Sequence, residues 1–376
     1  MAFAGELPDS VTINVIPRIS PSRFVGLKSC RLREVWASNR VPAFLPMNAR
    51  ARLGTIVHAV LAAAGRGEIS TKAEIERNWA ALVDKTEDEM RASWLDRSLV
   101  PLSKSVRTYE VDVLRTVSRA SEIAETRRER GPSQTRRAKG IGFELWVHTD
   151  DQKVSGYIDH AYVDEDGLVV RDYKSGYIVE SGEDGTPILK EDYVIQLQLY
   201  AALYSVTFAD WPSRLELAPL YGDSMVVPFE ADACTRLLKD AKALLDETNA
   251  NVVALREKGV LPAMLASPSA ETCRHCAYRP ACPAYAQLDT SPDAGWPADI
   301  SGVVEKVQPL MNGQVAVVLK TSKTVEVIRG LSRNERHPAL TSAVPGDTLA
   351  VFNLQKSFPG TGWQEGPYTA MYRRSG

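Results

Sequence analysis

The sequence has few cysteines and no long apolar run. Five cysteines in 376 residues are too few for the disulfide framework of a secreted protein. No apolar run reaches the roughly 18 residues that indicate a membrane-spanning helix. Residues 1–21 lack the basic segment and apolar core of a secretory signal. We therefore expect a cytoplasmic protein without a membrane partner, in which the cysteines are buried or bind metal.

An excess of charge of either sign is also missing. The formal net charge is −2, with 44% hydrophobic and 24% charged residues, which is ordinary for a folded protein. Such a balance gives no global signature of nucleic-acid binding, so contact with a polyanion would have to come from local patches. At roughly 150 residues per domain, the length predicts about two domains.

Residues 1–290 alternate between helical and strand-like patterns. Apolar residues recur at helical period over 22–37, 49–64, 71–91, 104–130, 192–208 and 232–258. Short stretches rich in Val, Ile and aromatic residues indicate strands over 143–149, 153–163, 168–174, 215–221 and 224–229. Turn-forming residues at 150–151 and 164–167 predict hairpins between the first three strands. The order predicts one mixed α/β domain.

The sequence pattern changes from mixed helix and strand to mainly strand after residues 291–297, whose composition is typical of a linker. Five strands are predicted over 300–307, 314–320, 324–329, 348–355 and 368–373, with a helix-compatible piece over 332–340. This is the order of an OB-like β-barrel, a fold that often binds single-stranded nucleic acid. We predict such a domain over 296–376; the alternative is another small barrel that mediates protein contacts.

Two carboxylates and a lysine stand on neighbouring predicted strands. If 164–167 forms a hairpin, Asp159 lies near Asp172, and Lys174 points to the same side as Asp172. Close carboxylates repel each other unless a cation lies between them, and a hard ion such as Mg²⁺ suits oxygen ligands. The lysine could then orient or deprotonate an attacking water. An isolated Asp-x-Lys, however, occurs by chance in most proteins.

Neighbouring motifs make Asp159, Asp172 and Lys174 more specific as candidate site residues. In order along the chain stand Gly54-x-x-x-His58, Gly156-x-x-Asp159, Asp172-x-Lys174 and Gln196-x-x-x-Tyr200. Together they resemble the PD-(D/E)XK nuclease superfamily, specifically its RecB-type branch. The resemblance implies a restriction-endonuclease-like mixed sheet flanked by helices, and a hydrolase that cleaves DNA with Mg²⁺ or Mn²⁺.

The resemblance also implies roles for single residues. Asp159 and Asp172 would be the main metal ligands, completed by the carbonyl of Tyr173, with His58 as an additional ligand. Lys174 would be the catalytic lysine, and Gln196 and Tyr200 would position the DNA backbone or the lysine. The alternatives are a buried core histidine at 58 and a helix that merely packs through 196 and 200. Glu144 opens the strand before Asp159 and is the least specific member, since strand glutamates are common.

The cysteines form a second signal. Cys273, Cys276 and Cys282 are spaced Cys-x2-Cys-x5-Cys, which supplies three ligands of a tetrahedral site. His275 is poorly spaced as a fourth ligand, whereas Cys30 is a distant candidate. A resemblance to AddB-type and CRISPR-associated nucleases implies a four-iron, four-sulfur (4Fe–4S) cluster that joins the ends of the nuclease domain. Zinc bound by the same cysteines, or no metal, are the alternatives. Cys234, within a predicted helix, is expected to be a buried apolar residue.

A basic stretch precedes the strand block. It consists of Arg127, Arg128, Arg130, Arg136, Arg137 and Lys139. These residues could contact phosphates along a DNA path, or they could form a solvated loop.

The combined prediction is a metal-dependent deoxyribonuclease. It would act on single-stranded ends or flaps in DNA repair, recombination or anti-phage defence. One alternative is a DNA-binding subunit of a helicase–nuclease or defence complex that cleaves only in the assembly. The other is a CRISPR-adaptation-type trimming nuclease, which the additional C-terminal barrel disfavours.

Overall fold

The N-terminal third of the protein is helical. A computed structural model describes residues 5–8, 11–130, 139–182, 184–259, 262–288, 290, 295–357 and 362–374. Its first helices are α1 (Pro21–Ser29), α2 (Arg31–Ser38), α3 (Ala49–Arg66), α4 (Lys72–Ala92), α5 (Leu102–Ser105) and α6 (Tyr109–Arg130). A 3₁₀ turn at Arg97–Leu99 lies between α4 and α5. Among the described residues, no helix has the length and apolar character needed to cross a bilayer.

Local sequence signals fix where these helices begin and end. The Asn48 side chain accepts a hydrogen bond from the backbone of Arg50 at the start of α3. Gly67 ends that helix with a left-handed φ of 77°, a conformation that glycine adopts without steric penalty. Thr71 and Glu74 form a reciprocal capping box at the start of α4.

Two predicted helices are interrupted. The helix predicted over 22–37 is divided into α1 and α2 because Cys30 is extended, with φ −158° and ψ 102°. The helix predicted over 104–130 is divided at Val106, which is extended with φ −113° and ψ 109°. In both cases the apolar residues keep their spacing across the break, so periodicity could not reveal it.

A five-stranded mixed sheet follows. Its strands are β1 (Gly142–His148), β2 (Ser155–Asp164), β3 (Gly167–Lys174), β6 (Arg214–Pro219) and β7 (Met225–Val227), in the order β1-β2-β3-β6-β7. The predicted hairpin joins β2 to β3, with Asp164 paired to Gly167. Strands β3 and β6 are parallel and are connected through α7 (Glu191–Phe208). A small hairpin that the sequence did not predict, β4 (Val179–Ser181) and β5 (Pro187–Leu189), precedes α7.

Apolar side chains cover the sheet on both faces. Leu197 and Leu199 of α7 belong to one core with Val170 of β3, together with α8 (Ala231–Lys258). Val57 and Val60 of α3 belong to a second core that includes Tyr173 of β3. Alternate residues of β3 therefore enter different cores, as the two-residue strand period requires. Short segments complete this part: Pro262–Leu265, α9 (Ala270–Arg274), Arg279–Ala281 and α10 (Pro283–Ala286).

The C-terminal part is a curled seven-stranded half-barrel. It contains β8 (Ile300–Pro309), β9 (Val315–Lys320), β10 (Val325–Leu331), α11 (Pro338–Thr341), β11 (Thr348–Phe352), β12 (Gln355–Lys356), β13 (Trp363–Gln364) and β14 (Ala370–Arg374). The order is β12-β13-β10-β9-β8-β11-β14. Each of the five predicted strands has a counterpart. Strands β12 and β13 were not predicted, and the predicted helix over 332–340 is reduced to α11, because Pro338 starts a helix but cannot continue one.

The two parts of the chain share an apolar contact. The Tyr372 ring of β14 packs edge-on against Phe44 and Trp94, and its hydroxyl donates to the Phe44 carbonyl at 2.6 Å. Arg279, only 2% exposed, forms an ion pair with Asp299 at 2.6 Å. Most of the linker predicted at 291–297, namely 291–294, lies outside the described residues.

Candidate active site

The β2–β3 hairpin brings the two predicted carboxylates together. His160 pairs with Arg171 in an antiparallel register, which puts Asp159 opposite Asp172. The backbone N–H of Tyr173 donates to Asp159 Oδ2 at 2.7 Å. Asp159 is thereby attached to the strand that carries the other two members of the trio.

Asp172, Lys174 and Gln196 form a closed hydrogen-bonded group. The Lys174 ammonium lies 2.7 Å from Asp172 Oδ2 and donates to Gln196 Oε1 at 2.9 Å. The Gln196 amide in turn donates to Asp172 Oδ1 at 2.8 Å. One turn earlier on α7, the Tyr193 ring lies 4.5 Å from Lys174 Nζ. Tyr193 was not predicted, although its position three residues before Gln196 places it on the same helix face.

Burial and charge act together on Asp172. The side chain is nearly fully buried. Burial raises the pKa of Asp172 to about 6; the Asp159 carboxylate acts in the same direction, whereas Lys174 opposes the rise. A bound divalent cation would favour the ionised form of both carboxylates. The pair is thus electrostatically suited to a positive ion.

His58 reaches this group from α3. Its Nδ1 lies 3.4 Å from Asp159 Oδ2. Burial lowers the pKa of His58, but the hydrogen bond and charge of Asp159 raise it more, so the net direction is upward. Gly54 lies one turn earlier, where an added Cβ would lie 2.7 Å from Ser175 Oγ. The glycine of the Gly54-x-x-x-His58 motif therefore allows α3 to approach the end of β3 closely.

Glu144, the least specific member of the predicted site, lies close to Asp159. Phe143 pairs with His160 and Leu145 with Ile158, so Glu144 falls opposite Asp159. Its φ is +51°, an uncommon conformation for glutamate. Burial raises the pKa of Glu144, and the charge of Asp159 adds to the rise. A third carboxylate thus borders the site.

Tyr200 is buried on the same helix as Gln196. Burial raises the pKa of its phenol, and the charges of Asp172 and Asp159 contribute to the rise. A Cβ on Gly156 would lie 3.3 Å from the Tyr200 hydroxyl. The glycine of Gly156-x-x-Asp159 therefore leaves room for this tyrosine against β2.

The donor set suits a hard divalent cation, although it is not assembled around one point. In the part of the chain that the structure describes, no three His, Cys, Asp or Glu side chains converge as ligands of a single metal ion. Both Asp172 oxygens face Lys174 or Gln196 instead. Carboxylates from Asp159, Asp172 and Glu144, with a backbone carbonyl, are nevertheless the oxygen ligands that Mg²⁺ and Mn²⁺ prefer.

The four cysteines predicted to act together are all buried near one another. Burial raises the pKa of Cys273, Cys276 and Cys282, and the charge of Cys30 acts in the same direction on all three. Cys30 stands at the break between α1 and α2. Cys234 is buried in α8, as predicted. Cys30, Cys273, Cys276 and Cys282 are thus close enough for their charges to interact, but among the described residues they do not converge as ligands of one ion.

Only part of the predicted basic stretch can be placed. Arg128 and Lys139 are exposed, and Arg136 and Arg137 lie outside the described residues, as does the side chain of Arg130. Arg127 lines a cavity of about 530 Å³ beside β1 and β3, together with Arg66, Arg119 and Arg171. The last three arginines were not predicted, because they come from α3, α6 and β3 rather than from one stretch of sequence.

Comparison with known proteins bears on the whole site. A family model of the PD-(D/E)XK nuclease superfamily matches residues 18–283, which is well over half of the chain and includes every residue of the site. No curated protein matches the sequence.

Proposed function

The chain belongs to the PD-(D/E)XK nuclease superfamily, whose members are typically metal-dependent nucleases, and we propose that it is a Mg²⁺- or Mn²⁺-dependent deoxyribonuclease. The observation that carries the proposal is the group formed by Asp172, Lys174 and Gln196, with Asp159 on the adjacent strand. This group combines two carboxylates that could bind a metal ion with a lysine ammonium that is held beside them by hydrogen bonds.

Each side chain has a proposed role in phosphodiester hydrolysis. Asp159 and Asp172 would hold the metal, with the Tyr173 carbonyl and His58 as further ligands. The ion would polarise the scissile phosphate and acidify water. Lys174, as an ammonium, would orient the attacking water or stabilise negative charge on the phosphate. Gln196 fixes the position of the Lys174 ammonium through its 2.9 Å contact, and buried Tyr200 would support the same helix face.

The substrate is proposed to be DNA that approaches along the arginine-lined cavity. Arg66, Arg119, Arg127 and Arg171 line it, with Glu122 as the acidic member of the wall. Phosphate contacts rely on arginine and lysine. Phe143 and Tyr173 also line the cavity, so it borders strands β1 and β3, although the Tyr173 side chain points to the opposite face of β3 from Asp172 and Lys174. The predicted Arg128 and Lys139 would extend this path.

We also propose that the C-terminal half-barrel, taken as a domain over 296–376, is OB-like and holds single-stranded ends or flaps. Strands β8, β9 and β10 pair in sequence, and β11 pairs with both β8 and β14. Strand β13 pairs with β10 in parallel. Strands β12 and β13 therefore lie at one edge of the sheet, and β14 lies at the other edge. Helix α11 follows the third strand, the order on which the OB-like prediction was based.

The RecB-type assignment and the AddB-like 4Fe–4S cluster form a further proposal. Cys30, Cys273, Cys276 and Cys282 would hold the cluster, which would tie the α1–α2 break to the end of the nuclease domain. Arg279 donates to the Cys273 carbonyl at 3.3 Å and to the Cys276 carbonyl at 3.4 Å, which orders this loop. Four buried thiols fit such a cluster; zinc on the same ligands is the alternative.

One observation favours a second candidate function. Because Asp172 is engaged by Lys174 and Gln196, the described ligands are not preassembled for a metal ion. A DNA-binding subunit that cleaves only within a helicase–nuclease or defence complex would show this arrangement in isolation. Repair, recombination, anti-phage defence and CRISPR-adaptation-type trimming all remain compatible pathways for such an assembly.

Cleavage assays test the proposal. Labelled single- and double-stranded DNA would be incubated with the protein and Mg²⁺ or Mn²⁺, beside Asp172→Ala and Lys174→Ala. Lys153→Ala, which removes an exposed partner of Asp246, is the control. We expect cleavage by the wild type and the control, and a loss of at least about a hundredfold in the two site variants. Persistent cleavage in both would contradict the assignment. DNA binding without cleavage by any form would favour the subunit function.

A further inference from the structure

Arg374, the last residue of β14, is a half-buried cation that pairs with no carboxylate among the described residues. Within the part of the chain that the structure describes, no carboxylate lies within ion-pair distance of it, and its Nε is buried without a hydrogen-bond partner. Its neighbour Arg373 forms an ion pair with Asp347 at 3.1 Å and donates to Ser342 Oγ at 3.1 Å. Adjacent residues of one strand thus differ in whether their charge is compensated.

The electrostatics of Arg374 differ from those of the other buried arginines near it. Burial lowers the pKa of Arg374, and no carboxylate among the described residues opposes that direction. For Arg279 the influence of Asp299 outweighs burial and the pKa is raised. A guanidinium stays protonated in proteins, so Arg374 keeps its charge. A half-buried charge without a counter-ion is costly, and an anionic ligand would remove that cost.

Arg374 faces a cleft that has room for such a ligand. The cleft has a volume of about 500 Å³ and lies between Tyr285 of α10 and the half-barrel, within the roughly 300–1,000 Å³ of small-molecule sites. Trp363 and Phe352 supply aromatic walls, and the turn at 321–324 contributes hydroxyl groups. A cation, hydroxyls and aromatic side chains are the groups that recognise a phosphate joined to a base.

The acidic residues of the cleft are already engaged. Asp299 accepts hydrogen bonds from Arg279 at 2.6 Å and from the Tyr285 hydroxyl at 2.8 Å. Glu326 accepts from the Trp363 indole N–H at 3.0 Å. Neither carboxylate pairs with Arg374, so an incoming phosphate would not have to displace one from the guanidinium.

We propose that this cleft binds a nucleoside phosphate, with the phosphate on Arg374 and the base against the aromatic wall that includes Trp363. The ligand is either one nucleotide unit of a DNA strand or a free nucleotide; in the first case the inference rests on the proposed function and locates its single-strand contact. The chemistry is the same in both cases, and the two sources are separable by experiment.

Binding is measured with the full chain in EDTA, so that cleavage plays no part. The first probe is thymidine monophosphate, whose binding is measured by calorimetry. The second is a fluorescein-labelled oligothymidylate, whose binding is measured by fluorescence anisotropy. The variants are Arg374→Ala and Arg374→Lys, with Arg373→Ala as the matched control. Because no carboxylate among the described residues pairs with Arg374, Arg374→Ala should melt at the wild-type temperature, whereas Arg373→Ala should melt lower.

We expect Arg374→Ala to weaken the binding of at least one probe by about tenfold or more, with Arg374→Lys intermediate and Arg373→Ala unchanged. For the oligonucleotide, the slope of log affinity against log salt should fall by about 0.7, as the loss of one phosphate contact requires. A loss for the oligonucleotide alone identifies a strand as the ligand. A loss for the monophosphate identifies a nucleotide site. Wild-type affinity of Arg374→Ala for both probes would overturn the inference, whatever the nuclease assays show.

Discussion

The side-chain amide of Gln196 donates to Asp172 at 2.8 Å, which ties helix α7 to strand β3 at the centre of the site. The same amide accepts from Lys174 at 2.9 Å through its oxygen. A glutamine suits this position because it offers a donor and an acceptor at once. The Gln-x-x-x-Tyr motif therefore acts through the carboxylate and the lysine together.

Replacing Gln196 with leucine should lower activity while preserving the fold. Leucine has a similar volume but removes the Gln196 acceptor of Lys174 and the donor to Asp172 Oδ1, so that only the direct contact between Lys174 and Asp172 holds the two side chains. We expect kcat to fall by about 10- to 100-fold. Gln198→Leu is the matched control, since Gln198 lies on the same helix and its amide donates to the Pro228 carbonyl rather than to a residue of the site. Equal activity of the two variants would contradict a positioning role for Gln196.

His58 should affect the requirement for metal more than the maximal rate. Its imidazole lies 3.4 Å from Asp159, so His58→Ala removes a ligand or an orienting group. The Mg²⁺ concentration for half-maximal cleavage should rise by about 10- to 100-fold. His148→Ala serves as the control, because the His148 ring contacts the carbonyl of Thr149. An unchanged Mg²⁺ titration would contradict a role of His58 in metal binding.

The cysteines should separate into four that bind a cluster and one that does not. The purified protein is expected to be brown and to contain about four iron atoms. Cys276→Ser should lose the visible absorbance and melt at a lower temperature. Cys234→Ala should keep the colour, since that residue is buried apart in α8. A colourless wild-type protein that contains zinc would reject the cluster.

The sequence revealed the parts of the site that depend on short-range geometry. Asp159 and Asp172 could be placed together because the turn at 164–167 fixes the register of a hairpin. The order of the motifs then indicated which helices carry His58 and Gln196. These relations follow from strand and helix periods, which a sequence shows directly.

Other features depend on register or tertiary packing and could not be predicted. Glu144 lies opposite Asp159 only because β1 pairs with β2 in one particular register, with a left-handed residue inside the strand. Strands β12 and β13 span two residues each, too short to show a period. The break at Cys30 preserves helical spacing on both sides. Arg374 became informative only when the described residues around it supplied no counter-ion.

Gly65 should be essential for the packing of the first strand. A Cβ at this position would lie 2.3 Å from the Phe143 ring, which cannot retreat because its other face stacks on His160 at a centroid distance of 3.8 Å. Gly65→Ala should therefore destabilise the protein by about 1–3 kcal/mol. Denaturant unfolding would measure this, with Gly176→Ala as the control, since a Cβ there meets nothing within 4 Å. Phe143→Leu in the Gly65→Ala background should recover part of the loss.

Glu365 should make the half-barrel sensitive to acid. Burial raises the pKa of Glu365. Three neighbours lower it by more: His337 through its hydrogen bond and charge, Arg336 through its charge, and Ser332 through its backbone N–H. The net direction is therefore below the ordinary value of glutamate. A carboxyl whose pKa is depressed by folding stabilises the native state above its unfolded pKa. That stabilisation is lost as the pH falls through the folded pKa.

The pH window for this effect thus lies below about 4.5, the ordinary pKa of glutamate. Glu365→Gln should lower the melting temperature at pH 7, and its difference from the wild type should shrink as the pH falls below that value. Glu335→Gln is the control, because Glu335 is exposed and pairs with Arg97 at the surface. If the melting temperature of Glu365→Gln stays below that of the wild type by the same amount from pH 7 to pH 3, the charge of the carboxylate does not hold the 332–337 segment against the sheet.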